Sequence, residues 1–229
     1  MTTISANLQA VRARIEAATR AAGRKPGSVQ LLAVSKTFSP QDIRLAVEAG
    51  QRCFGESYVQ EATAKIEALR EHSLEWHFIG PLQSNKTRQV AALFDWVHSV
   101  DRLKIAERLS EARNADQTPL QVCIQVNVSG EASKSGIAPG GLPALARAVS
   151  KLPRLKLRGL MAIPELTDDV ALAHRRFASL RTLRDALNCE GMECDTLSMG
   201  MSHDLDVAIL EGATLVRVGA AIFGERKWG

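Results

Sequence analysis

Val29-Gln-Leu-Leu-Ala-Val-Ser-Lys36-Thr-Phe-Ser-Pro-Gln-Asp-Ile-Arg-Leu-Ala-Val-Glu-Ala-Gly50 holds one complete strand-and-helix unit. From Val29 to Ser35 the chain is nearly continuously apolar, the pattern of a strand covered on both faces. Ser39-Pro40 reads as the N-cap and first residue of a helix continuing over Gln41–Ala49, and Gly50 follows its last turn.

That unit recurs along the chain. Further strand patterns are expected at Arg52–Gly55, Glu75–Ile79, Trp96–Ser99, Leu120–Val128, Lys156–Met161, Asp195–Met199 and Thr214–Val218. Helical patterns separate them at Tyr58–Leu69, Lys86–Phe94, Arg102–Asn114, Leu142–Leu152, Val170–Leu187 and Asp204–Leu210. Ahead of the first strand, Leu8, Val11, Ile15, Ala18 and Ala22 mark an amphipathic helix. Strands alternating with helices imply a parallel sheet, and eight such units point to a single (β/α)8 barrel domain over 1–229 with an extra N-terminal helix. The rival architecture is a doubly wound open sheet. No Gly-x-Gly-x-x-Gly follows the first strand, which weakens its dinucleotide-binding form.

Composition narrows the class. The 229 residues are 45% hydrophobic and 24% charged, enough for a well-buried core. Net charge is +4 with the signs mixed, which suits an anionic small molecule. Aromatic content of 4% leaves few stacking platforms, so nucleic-acid binding has no support. No apolar signal core or bilayer-length run is present, so the expected setting is cytoplasmic, away from membranes. The four cysteines form no Cys-x-x-Cys pair and are expected as reduced, mostly buried thiols.

A barrel places its chemistry at the C-terminal ends of its strands. Lys36 closes strand one there and is either a solvated lysine just past a strand or, with its stem in apolar surroundings, a nucleophile toward aldehydes. After strand seven, Ser198-Met-Gly-Met-Ser202 runs straight into a helix, with Ser202 placed as N-cap. Gly219-Ala220 makes a tight turn after strand eight. Free amides at two such loops either cap the chain or bind an anion, and barrels often hold phosphate there. Arg217 interrupts the apolar run Leu215-Val-Arg-Val218 and so either enters a structural ion pair or faces a ligand. An aldehyde-reactive lysine, a phosphate cradle and an inward arginine on one rim together describe pyridoxal 5′-phosphate.

Ala33-Val-Ser-Lys36, Phe54-Gly-Glu-Ser-Tyr-Val-Gln-Glu61, Trp76-His-Phe-Ile-Gly-Pro-Leu-Gln-Ser-Asn-Lys86, Ser133-Lys-Ser-Gly136, Leu157-Arg-Gly-Leu-Met-Ala-Ile163, Ser198-Met-Gly-Met-Ser-His-Asp204 and Val216-Arg-Val-Gly-Ala-Ala-Ile-Phe-Gly224 closely resemble the pyridoxal phosphate homeostasis protein family. The resemblance covers nearly the whole chain. It implies a barrel related to the N-terminal domain of alanine racemase, with the cofactor on Lys36 as an internal aldimine. Ser202 and the amides of Gly219 and Ala220 would hold its phosphate. Arg217 would face the pyridine nitrogen, with Asn85 and Met201 as neighbours. Ser57, Lys134 and Ser198 rank as secondary contacts. Where the family reads Phe-Gly-Glu-Asn-Tyr this chain has Ser57, which is shorter and lacks the amide.

Arginine cannot take up a proton, so Arg217 disfavours a protonated ring and weakens it as an electron sink. Racemisation needs acid and base groups on both faces of a carbon. Tyr58 is the single tyrosine, and His77 and His203 are the alternative bases. Glu56 is expected to order a neighbour or pair with a lysine. The favoured function is a monomeric, non-enzymatic carrier that buffers pyridoxal phosphate and passes it to apoenzymes. The alternative is a low-activity monomeric amino-acid racemase dependent on the same cofactor.

Overall fold

The structure is a computed structural model and describes residues 3–131 and 135–225. Eight parallel strands close into a barrel in sequence order, β1 (Gln30–Val34), β2 (Cys53–Glu56), β3 (Glu75–Phe78), β4 (Trp96–Val100), β5 (Leu120–Gln125), β6 (Leu155–Met161), β7 (Thr196–Ser198) and β8 (Leu215–Val218). Helix α1 (Ile4–Ala21) precedes them. Around the barrel run α2 (Pro40–Glu48), α3 (Val59–Ala68), α4 (Thr87–Leu93), α5 (Leu103–Ala112), α6 (Leu142–Val149), α7 (Val170–Cys189), α8 (Leu205–Leu210) and α9 (Ala220–Phe223). This is the expected (β/α)8 architecture with its extra N-terminal helix, and the open-sheet rival is excluded by closure of β1 on β8.

Local chemistry explains the punctuation. Ser39 and Asp42 cap α2 reciprocally, with Pro40 as its first residue. Asp169 accepts from Leu172 N–H at the start of α7. Two boundaries differ from expectation. Strand β5 ends at Gln125, not Val128, because Asn127 N–H donates to Ile137 C=O and Gln125 C=O accepts Ile137 N–H, pairing the chain with the following loop. Helix α8 begins at Leu205, so Ser202 is not its N-cap. The Asp204 carboxylate accepts Met201 N–H at 2.6 Å and closes a turn first.

Two regions are buried, and they differ in polarity. Phe54, Trp76, Phe78, Val97, Val122, Leu160, Leu197, Val216 and Val218 point outward into the helix-covered core. Alternation then sends Leu32, His77, His98, Cys123, Met161, Ser198 and Arg217 into the lumen, all of them buried. Barrel lumens are usually filled by branched apolar side chains, so four polar groups in this one require partners. All four cysteines are free, with Cys189 exposed. Among the described residues no helix is long and apolar enough to cross a membrane.

Candidate functional site

Lys36 follows β1 in the turn between Ser35 and Thr37 and is half-buried. That turn is clamped from outside the barrel. The Ser35 hydroxyl donates to Glu56 at 2.6 Å, and Lys65 Nζ on α3 donates to Ser35 C=O at 2.7 Å and to Glu56 at 2.8 Å. Lys65 also pairs with Glu61, whose carboxylate accepts Thr37 N–H at 2.5 Å. Thr37 sits at φ 70°, a strained value for a branched residue, which these bonds hold in place. Glu56 therefore pairs with a lysine as expected. Burial pushes its carboxyl up from the usual range, opposed by Lys65. Phe38 stacks on Phe223 at 4.9 Å, fastening the Lys36 turn to α9.

The neighbouring walls carry most of the other candidates. Arg217 on β8 is in register with Leu32 on β1. Gly219 approaches β1 so closely that a Cβ there would lie 3.1 Å from the Val34 carbonyl oxygen. Ala220 and Ala221 open α9 and have no carbonyl one turn back to bond. After β7, Gly200 sits at φ 92°, and a Cβ would strike Ala208 at 2.6 Å, so this turn requires glycine. Met201 and Ser202 follow in that turn, both half-buried. Helix α1 fixes it from behind, since Arg14 donates to Ser202 C=O at 2.7 Å and pairs with Asp206. Asn7 on the same helix donates to Ile222 C=O at 2.9 Å.

Arg217 is buried, with its guanidinium donating at 2.8 Å to the Ser198 hydroxyl and at 2.8 Å to Ala162 C=O. Both partners are neutral. Burial lowers its pKa to about 10, with Asp204 opposing. Beyond Ser198 the lumen is linked further. Ser198 Oγ lies 2.8 Å from His98 Nδ1, His98 Nε2 lies 2.8 Å from His77 Nδ1, and His77 Nε2 lies 2.8 Å from Glu75. Ser198, a secondary candidate from sequence, thus stands between Arg217 and two histidines. Trp96 stacks on His77 with ring centroids 5.3 Å apart.

The other candidates among the described residues follow β2, β3 and β7. Asn85 is exposed in a single turn of 3-10 helix after β3, and among the described residues no bond ties it to the Lys36 turn. Ser57 is half-buried, and the N-cap position of α3 belongs to Tyr58, so Ser57 does not cap it. Gly80 packs onto the Ser57 backbone. Tyr58 is 56% exposed, and His203 faces solvent. Lys134 lies outside the described residues.

Sequence reasoning missed Lys65 as the clamp behind Lys36 and His98 as a lumen link. A signal existed for the second. Glu75-Trp-His77 and Trp96-Val-His98 alternate, which places Glu75, His77 and His98 on the lumen side of neighbouring strands.

Comparison with known proteins agrees with this fold. The family described as alanine racemase, N-terminal domain, matches residues 6–227, which defines the class of barrel. The pyridoxal phosphate homeostasis protein of Pseudomonas aeruginosa is 61% identical over 229 residues, covering 100% of this chain and 98% of that protein. PipY of Synechococcus elongatus PCC7942, solved with PLP bound, has a TM-score of 0.85 at 39% identity over 97% of this chain and 100% of its own. The alanine racemase of Corynebacterium glutamicum shares the fold, with a TM-score of 0.70 at 18% identity over 95% of this chain and 62% of its own. The chain belongs to the pyridoxal phosphate homeostasis protein family.

Proposed function

We propose that the protein binds pyridoxal 5′-phosphate covalently through Lys36 and buffers it for hand-over to apoenzymes. One observation carries this reading. Arg217 is a buried cation whose described partners are a hydroxyl and a carbonyl, on the strand next to the one that Lys36 follows. A guanidinium has five N–H donors, and two serve these bonds. A buried charge satisfied only by neutral groups suits an added acceptor such as a pyridine nitrogen. The bound cofactor would supply an electrophilic aldehyde and an electron-withdrawing ring.

This chain's residues would do the rest. Lys36 provides the amine, held by the Ser35–Thr37 clamp. The amides of Gly219 and Ala220 and the side chain of Ser202 would hold the phosphate, with Met201 alongside. Arg217 donates and cannot accept a proton, so it weakens the ring as an electron sink and favours storage over catalysis. The relative solved with PLP bound and the names of the curated relatives support the same reading. A monomeric, cytoplasmic carrier comprising one barrel domain over 1–229, without strong catalysis of its own, completes the proposal.

Mixing the PLP-loaded protein with an apo-aminotransferase tests it. Recovery of transaminase activity, with no racemisation of free amino acids by the protein alone, is expected. Retention of the cofactor with no recovery, or rapid racemisation, would contradict the carrier reading.

A further inference from the structure

The lumen bonds form a chain whose direction can be deduced. Glu75 opens β3 at the N-terminal mouth, and the hydrogen bond from His77 holds its carboxyl down at about 2. It is ionised near neutral pH and can only accept, so His77 Nε2 carries the proton. Burial lowers the pKa of His77 and lowers that of His98 strongly, so both rings are neutral. A neutral His77 then accepts at Nδ1, which requires His98 to donate from Nε2. By the same logic His98 Nδ1 accepts from the Ser198 hydroxyl, and Ser198 Oγ accepts from Arg217. Every donor points from Arg217 toward Glu75, across β8, β7, β4 and β3.

We propose that Glu75, His77, His98 and Ser198 are positioning residues for Arg217, a one-directional hydrogen-bond chain that fixes how the guanidinium meets the cofactor ring. This deepens the pyridoxal phosphate reading and rests on it. The chain does not conduct a proton end to end. An acid of pKa about 10 would have to protonate a carboxylate of pKa about 2, a strongly uphill exchange. Its role is orientation. Arg217 can only donate, and reversing any link between Ser198 and Glu75 requires both imidazoles to change tautomer and Glu75 to take up a proton, so the anionic acceptor at one mouth determines which lone pair Ser198 offers Arg217 near the other. Glu75 is the solvent-facing link, with its side chain 40% exposed. It borders a cleft of about 360 Å³ that also includes Asp95, Trp96, Gln121 and Arg158. A substitution there therefore tests the chain without touching the rim that would hold the cofactor.

The test has two readouts on the full chain. Long-range ¹H–¹⁵N spectra of the ¹⁵N-histidine protein, without PLP, should show His77 and His98 as neutral Nε2–H tautomers. In Glu75→Met, which removes the acceptor, the tautomers should mix. PLP affinity should fall roughly three- to thirty-fold, with a shifted visible band. The isosteric Glu75→Gln keeps an acceptor and should show a smaller change. Gln121→Ala, at the same mouth but outside the chain, should show none. Wild-type Nδ1–H tautomers would overturn the proposal. So would Glu75→Met binding PLP with unchanged affinity and band. Wild-type protein with the expected tautomers that takes up no PLP would instead fell the cofactor reading, and the proposal with it.

Discussion

At the scale of single residues, Lys36 and Arg217 differ in what supports them. Lys36 lies in the turn after β1 and is half-buried, so Lys36→Ala should abolish covalent capture of PLP while changing stability by less than about 0.5 kcal/mol. A reducible adduct persisting in that variant would show that another amine takes the aldehyde. Ser198 is different, because it serves both Arg217 and His98 inside the lumen. Ser198→Ala leaves two buried groups without that partner and should cost about 1–3 kcal/mol for each, read from urea unfolding. A loss below about 0.5 kcal/mol would mean the lumen bonds are replaceable. Arg217 stood out in the sequence as a charge in an apolar strand. Its pairing with Ser198 and Ala162 did not, since they lie 19 and 55 residues away along the chain.

Among elements, α1 and α3 act as braces behind the rim. Arg14 and Asn7 tie α1 to the turn before α8 and to α9. The Arg14–Asp206 pair is well exposed, so Arg14→Ala should lower stability by only about 0.2–1 kcal/mol. Its larger expected effect is on the Met201–Asp204 turn. Affinity for pyridoxal phosphate should fall while weaker binding of unphosphorylated pyridoxal stays unchanged. An equal loss for both ligands would place the effect elsewhere. Helix α3 contributes Lys65, buried against Glu56, one of whose carboxylate oxygens is buried with no hydrogen-bond partner among the described residues. Lys65→Met should cost about 3–5 kcal/mol, with much of that recovered in the Glu56→Gln/Lys65→Met double variant. Independent, additive losses would refute the coupling. Helix and strand positions were legible because buried parallel strands read as apolar runs and caps as Ser-Pro or Gly. Lys65 was not, because a lysine on a helix pattern reads as solvated until its carboxylate partner is placed by the barrel. The cap of α8 was misassigned because Asp204, and not Ser202, precedes the helix and closes a turn of its own.

For the whole molecule, barrel closure brings together groups that are remote in sequence, and acid should reveal this. His77 and His98 have folded-state pKa values below 6.5, so the folded protein resists protonating them while the unfolded chain does not. Their contribution is present above 6.5 and is lost as pH falls through that value, by up to about 1.4 kcal/mol per pH unit for each ring. Glu75, held at about 2 against an ordinary 4.5, adds a further loss between those values. Urea midpoints should fall steadily from pH 7 to pH 4, and a flat or rising profile would mean the rings are charged or solvated in the fold. The barrel was readable from eight repeated units. The lumen chain was not, because His98 meets Ser198 from 100 residues away and only closure of the sheet sets them face to face. Borohydride reduction of the PLP-treated protein followed by peptide mapping is the most direct test of the cofactor site. A pyridoxyl group confined to Lys36, with a visible band lost on reduction, is the predicted result. No band after PLP addition, or label spread over surface lysines, would contradict it.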